Sequence, residues 1–173
     1  CEENIDNLPL DGIDIVIDCT GFFKSEELLA QYSKNGVQKV IVSAPVKART
    51  VANLVYGVNE SIYDPNMHNI VTAASCTTNC LTPVVKVLHE KLGIIRGFMT
   101  TVHSYTGDQP TLDTMHSDLY RSRSAAMNMI PTSTGAARAV GLVMPELDGK
   151  LVGVAIRVPT PNVSVVDLTF ESS

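Results

Sequence analysis

The run Ser75-Cys76-Thr77-Thr78-Asn79-Cys80 is the sharpest chemical signal in the sequence. It follows an apolar stretch over 69–75 that reads as a strand. It also opens a helical pattern over 76–93, with Leu81, Val84, Val85 and Leu88 at apolar spacings and Gly93 as the stop. A cysteine at a strand-to-helix junction meets unpaired backbone N–H groups and the positive end of the helix dipole, and both favour an anion. Cysteines in such places have thiol pKa values of about 3.5–7.5. The flanking hydroxyls suit phosphate binding or helix capping. Read without this context, a single cysteine is more simply a small buried apolar side chain. Cys76 and Cys80 share one helix face, but the further Cys or His ligands that a structural zinc needs do not cluster near them, so no metal is expected.

A nucleophilic thiol needs a base, and the chain has four histidines. His89 lies near the C-terminus of the predicted helix, where it complements the dipole. His68 falls in a turn and His116 in a polar stretch, and both read as solvent-facing. His103 lies in a predicted strand over 94–106, 27 residues beyond Cys76. A strand returning beside the helix would bring the imidazole to the thiol as a Cys–His pair, thiolate and imidazolium stabilising each other. Spacing alone serves a core histidine equally well.

These side chains need elements to position them. Residues 12–21 form a nearly continuous apolar run bounded by glycines, the pattern of a strand buried on both faces of a parallel sheet. A helix starts near Ser25 and stops at Gly36, and a second buried strand covers 38–45, which completes one βαβ unit. Short strands are then expected over 54–59 and 69–75. Pro83 inside the 76–93 helix predicts a first turn that is irregular or opens late. After the 94–106 strand comes a polar stretch, 107–130, of a length that is usually functional. A helix over 132–147 and two strands over 150–160 and 162–172, turned at Pro159-Thr160-Pro161, complete the pattern, with a boundary between halves near residue 75.

Composition narrows the class. Of 173 residues, 45% are hydrophobic and 18% charged, which excludes a disordered chain. A net charge of −5 argues against nucleic acid or an anionic membrane as partner. No apolar run approaches the roughly 20 residues of a membrane span, and the acidic start is unlike a signal peptide. Four irregularly spaced cysteines (Cys1, Cys19, Cys76, Cys80) form no disulfide framework and suggest a reducing, cytoplasmic setting, where the sequons at Asn59 and Asn162 carry no weight. The start at Cys1 and the strand-like end read as a piece of a longer protein.

Residues 75–80, continued by Leu81-Thr82-Pro83-Val84-Val85-Lys86-Val87-Leu88-His89-Glu90, resemble the active-site segment of the glyceraldehyde-3-phosphate dehydrogenase family. His103 with Tyr105-Thr106-Gly107-Asp108-Gln109 is similar to its base segment, and Ile130-Pro131-Thr132-Ser133-Thr134-Gly135-Ala136-Ala137 to its phosphate-binding segment. Pro145-Glu146-Leu147 and the run from Arg157 to Leu168 follow in the family's order. Upstream, Cys19-Thr20-Gly21-Phe22-Phe23 and Ser43-Ala44-Pro45 resemble the last part of its nucleotide-binding domain.

The resemblance implies an α/β fold: the end of a doubly wound parallel (Rossmann) sheet over 1–75, then part of an α+β catalytic domain over 76–173. It implies an NAD-dependent oxidoreductase of glycolysis. Such an enzyme converts glyceraldehyde 3-phosphate and inorganic phosphate to 1,3-bisphosphoglycerate through a cysteine thioester, and its full-length relatives are homotetramers. Cys76 is then the nucleophile and His103 the base. Thr106 and Arg157 take the substrate phosphate. Ser75, Thr77, Arg121, Thr134 and Gly135 take the attacking phosphate, and Thr20, Gly21 and Ser43 line the cofactor. On independent grounds, hydroxyls at a helix start and forked guanidiniums suit phosphate. Thr134 and Gly135 also read as a plain cap, and Arg121 and Arg123 as solvated. Arg157 is harder to dismiss, because burying a guanidinium in an apolar strand without an anion is costly.

The chain departs from the family at three places. Ala73 replaces a usual Asn, and Tyr120 stands where another Arg is common. Thr114-Met115 replaces the Leu-Pro of strictly NAD-specific relatives, which leaves NAD or NADP open. The glycine-rich pyrophosphate turn is expected upstream of Cys1. Two alternatives stay open: erythrose 4-phosphate as substrate, and a thiol hydrolase or acyltransferase using the same Cys–His pair. The 173-residue piece by itself is expected to be inactive and association-prone.

Overall fold

A computed structural model describes residues 4–48 and 50–173; Cys1, counted above, lies outside them. The chain divides into two compact units, 1–83 and 84–173.

The first unit is built on a parallel sheet. Its strands are β1 (Ile15–Asp18), β2 (Lys39–Val42), β3 (Ala52–Asn53) and β4 (Ile70–Thr72), in the order β1-β2-β4-β3. Helix α1 (Glu26–Lys34) joins β1 to β2, as the βαβ reading predicts. Its N-cap is Ser25, whose hydroxyl accepts from Leu28 N at 3.3 Å, and Gly36 beyond its end has φ +90°. Leu29 and Tyr32 face inward, joining Val40, Val42, Val46 and Ile70 in the unit's core.

Residues 54–59, expected as a strand, form a turn instead. The N–H groups of Val58 and Asn59 donate to the Val55 carbonyl at 3.0 and 3.2 Å, and the Asn59 side chain accepts from Val55 N at 2.8 Å. A local side-chain bond here outcompetes a sheet ladder, so an apolar, β-prone stretch turns.

Helix α2 (Cys76–Leu92) begins at the cysteine and ends where Gly93 takes φ +66°. The irregular first turn expected from Pro83 is absent. That turn is closed by Asn79 N donating to Ser75 O at 2.9 Å, and Pro83 sits beyond it. An interior proline costs a helix about 3 kcal/mol. Thr82, just before it, bonds its hydroxyl to the Thr78 carbonyl at 2.9 Å.

The second unit is a mixed sheet of β5 (Ile94–Ser104), β6 (Ile130–Ser133), β7 (Leu151–Val158) and β8 (Ser164–Ser172), in the order β6-β7-β5-β8. β5 runs parallel to β7 and antiparallel to β8. Two expectations are corrected here. Residues 132–147 are not one helix: 130–133 pair with β7, and helix α3 (Ala136–Val143) starts after Gly135, followed by a 3-10 turn at Pro145–Leu147. The β-branched and proline residues of Ile130-Pro131-Thr132 favour the edge strand they form. The last two strands do not form a hairpin either, because β5 lies between β7 and β8 and the 159–163 connection crosses it. The period-2 pattern identifies strands but not their neighbours. Alternation along β5 buries Met99, Thr101 and His103 on one face, and α3 packs against the adjacent β7. Among the described residues no helix is long and apolar enough to cross a membrane.

Candidate active site

In the first unit, the sequence-predicted residues collect along one edge of the sheet. Asp18, Val42 and Thr72 end β1, β2 and β4 at the same level. Just beyond them lie Thr20 and Gly21, Ser43, and Ser75 with Cys76. The edge is stitched by Ser43 N donating to Asp18 O and Ala73 N to Val42 O, both at 2.9 Å. The carboxyl edge of a parallel sheet is where such folds receive ligands.

Buried Asp18 organises the β1 end. One carboxylate oxygen accepts from Thr20 N and Thr20 Oγ1 at 2.8 and 2.7 Å, and the other from Tyr32 at 3.2 Å. Burial, with the Asp18 charge and hydrogen bond, pushes the Tyr32 hydroxyl up to about 12. The Thr20 hydroxyl in turn accepts from Phe22 N at 3.1 Å, leaving Gly21 at φ +68°.

At the β4 end, Ala74 adopts φ +54°, a left-handed conformation that costs a non-glycine residue about 1–2 kcal/mol. Ala74 N donates to Thr72 Oγ1 at 3.1 Å. Ser75 then caps α2: its hydroxyl accepts from Thr78 N at 3.1 Å and pairs with Thr78 Oγ1 at 2.7 Å. Cys76 follows, exposed, as the first residue of α2, with Thr77 Oγ1 4.0 Å from its sulfur. The strained turn thus delivers a thiol to the positive end of a 17-residue helix, on the edge where ligands are received.

In the second unit, His103, Thr106 and Arg157 come together at the C-terminal end of the parallel pair β5 and β7. His103 is directly opposite Arg157 in the register. Arg157 Nη1 donates to Ser104 O at 3.1 Å and Thr106 Oγ1 at 3.2 Å. Buried His103 has its Nδ1 2.6 Å from the same Ser104 carbonyl. A carbonyl only accepts, so Nδ1 carries the proton and Nε2 is the basic nitrogen of the neutral ring. One carbonyl therefore fixes both the tautomer of the imidazole and the guanidinium beside it.

The polar stretch 107–130 is braced by its own side chains. Asp113 accepts from Ser124 N at 2.7 Å and from Arg123 at 3.0 Å, and the Ser124 bond leads in holding its carboxyl below the usual range. Arg121 is gripped by Asp108, by Asp118 at 3.7 Å and by Thr132 Oγ1 at 3.0 Å. Partial burial pushes the Asp118 carboxyl up. Hydrogen bonds from Tyr120 N, Arg121 N and Thr132, with the Arg121 charge, outweigh that and lower it. Thr134 and Gly135 sit at the start of α3, where Ala136 N donates to the Thr134 hydroxyl at 3.1 Å.

Sequence reasoning missed Asp18, Asn79, Asp108 and Asp118. Only Asn79 and Asp108 carried a signal, as members of the quoted motifs. His89 accepts from Ile94 N at 2.9 Å and so caps the α2–β5 corner.

Residues 75–173 match the family "Glyceraldehyde 3-phosphate dehydrogenase, C-terminal domain". Proteins named glyceraldehyde-3-phosphate dehydrogenase are similar over almost the whole chain. That of Cereibacter sphaeroides is 61% identical over 96% of this chain and 49% of its own length. That of Xanthobacter flavus is 62% identical over 92% and 47%, and that of Geobacillus stearothermophilus 59% over 92% and 48%. The chain spans about half the length of these curated relatives. With the thiol at its helix start and the histidine–arginine pair at its strand ends, this chain belongs to the glyceraldehyde-3-phosphate dehydrogenase family.

Proposed function

We propose that the full-length protein oxidises glyceraldehyde 3-phosphate and captures the acyl group with inorganic phosphate, giving 1,3-bisphosphoglycerate. The observation that carries this reading is Cys76 as first residue of α2, on the ligand edge of the parallel sheet. We assign residues 1–75 to the end of a dinucleotide-binding domain and 76–173 to part of the catalytic domain.

The Cys76 thiolate attacks the aldehyde carbon, and the new C–S bond is matched by a proton delivered to the carbonyl oxygen from the His103 imidazolium. Backbone N–H groups at the start of α2 hold the developing oxyanion. His103 Nε2 then takes the hydroxyl proton as the hemithioacetal becomes a thioester. The nicotinamide, when bound, accepts the hydride. Phosphate adds to the thioester carbonyl, the C–S bond breaks, and the thiolate leaves with the electron pair, freeing the acyl phosphate.

Thr106 and Arg157 suit the substrate phosphate, since a guanidinium and a hydroxyl already converge there. Ser75, Thr77, Thr134 and Gly135 serve the attacking phosphate, with Arg121 joining them by exchanging a carboxylate for the phosphate. Thr20, Gly21 and Ser43 are polar or backbone-exposing, lie on one sheet edge and are exposed, which fits a bound dinucleotide. NAD is the expected cofactor, with NADP its competitor. The protein acts in the cytoplasm as a homotetramer, a reading supported by the exposed apolar face of the second sheet, where Phe98, Val152 and Val165 stand.

The full-length Cys76→Ser variant is expected to lose dehydrogenase turnover by at least about 10³-fold while binding the cofactor as before. Turnover near the unsubstituted rate overturns the assignment.

A further inference from the structure

The turn that presents Cys76 is clamped from inside its own helix. The Asn79 side-chain amide donates to the carbonyl of Ala73 at 2.7 Å and to that of Ser75 at 2.9 Å. These two carbonyls flank Ala74, the residue held at φ +54°. Both amide hydrogens are used, one on each side of the strained residue. Asn79 itself is fixed by the first turn of α2, where its backbone N–H donates to Ser75 O at 2.9 Å. The clamp grips main-chain carbonyls, so it is indifferent to the side chain at position 73, where this chain has Ala.

We propose that Asn79 is a positioning residue for Cys76. It touches no reacting atom. It keeps residues 73–75 in the left-handed turn, and that turn sets the direction of the Cys76 Cα–Cβ bond at the helix start. Without the amide, Ala74 relaxes toward an ordinary backbone conformation and the sulfur swings away from the ligand edge. A displacement of about 1 Å at a reacting atom costs on the order of 10²-fold in rate.

The inference rests on Cys76 being the nucleophile, which Cys76→Ser tests separately. Asn79→Leu tests the clamp, because leucine keeps the volume, adds no charge and is the better helix former at this exposed position. The full-length enzyme carries the substitution, and four quantities are measured: alkylation rate of Cys76 by iodoacetamide, kcat, KM for the cofactor, and thermal midpoint. The expected result is a fall of about 10–100-fold in alkylation rate and kcat, with cofactor KM within about two-fold and the midpoint not lowered. Asn79→Ala gives the same split, and stands in should the leucine variant not fold. Alkylation and kcat within two-fold of the unsubstituted enzyme overturn the proposal. A parallel loss of cofactor affinity also overturns it, since that marks general damage to the unit.

Discussion

Ser104 offers a single carbonyl to two functional side chains, the His103 imidazole and the Arg157 guanidinium. Neither could shift without disturbing the other, so the residues proposed as base and phosphate anchor are fixed as a pair. Arg157 Nη1 adds a second bond to Thr106, and the planar guanidinium suits a two-point grip on phosphate that a lysine cannot make. In the full-length enzyme, Arg157→Lys is therefore expected to raise KM for the phosphorylated aldehyde about 10–100-fold, the value of a hydrogen bond or two to a charged group, and to leave cofactor KM unchanged. Steady-state kinetics with each substrate varied in turn checks this, and an unaltered aldehyde KM would remove Arg157 from the phosphate site.

At the scale of elements, the contact between α1 and β1 links stability to pH. Tyr32 on α1 is buried against the Asp18 carboxylate that ends β1, and its hydroxyl is pushed from 10 to about 12. The folded state holds this proton more tightly than the unfolded chain. Its stabilisation is thus complete below pH 10 and is lost as pH rises from 10 to about 12. Chemical denaturation across that window is expected to show a declining unfolding free energy, with the decline reduced in Tyr32→Phe. Identical slopes for both proteins would refute the linkage. The same contact reaches the sheet edge proposed for the cofactor, since Asp18 also holds Thr20.

At the scale of the whole chain, the described residues include many exposed large apolar side chains. On one face of the second sheet, Phe98 lies beside Val152 in the register and Val102 beside Val165, and all four are exposed, Val165 at 64%. In the first sheet β1 is an edge strand carrying exposed Ile15 and Ile17. Apolar faces and open edges of this kind drive association. The 173-residue chain on its own is expected to elute from sizing chromatography as oligomers, without hydride transfer to NAD. Val152→Lys, placing a charge in the middle of the apolar face, should raise the monomer fraction. A clean monomer of the unsubstituted chain would contradict this.

Local chemistry made much of the molecule legible in the sequence. Strands over 15–18 and 39–42, the capped α1, and α2 from Cys76 to Leu92 follow from apolar runs, Ser25 and glycine stops, because each depends on neighbours a few residues away. The expected burial of the first strand on both faces does not hold, since β1 lies at the sheet edge with Ile15 and Ile17 exposed. The motif residues pointed to the proposed chemistry through their resemblance to one family's active-site, base and phosphate-binding segments. Pairing was decided only in three dimensions. No local signal says that β5 inserts between β7 and β8, or that 130–133 joins β7 as an edge strand, because strand partners are chosen by packing over long separations. Nor does spacing reveal that Asn79 reaches back to two carbonyls, or that Ser104 serves His103 and Arg157 together. Such bonds exist only once the backbone has turned, and it is the turn at Ala74, strained and held from both sides, that gives Cys76 its direction.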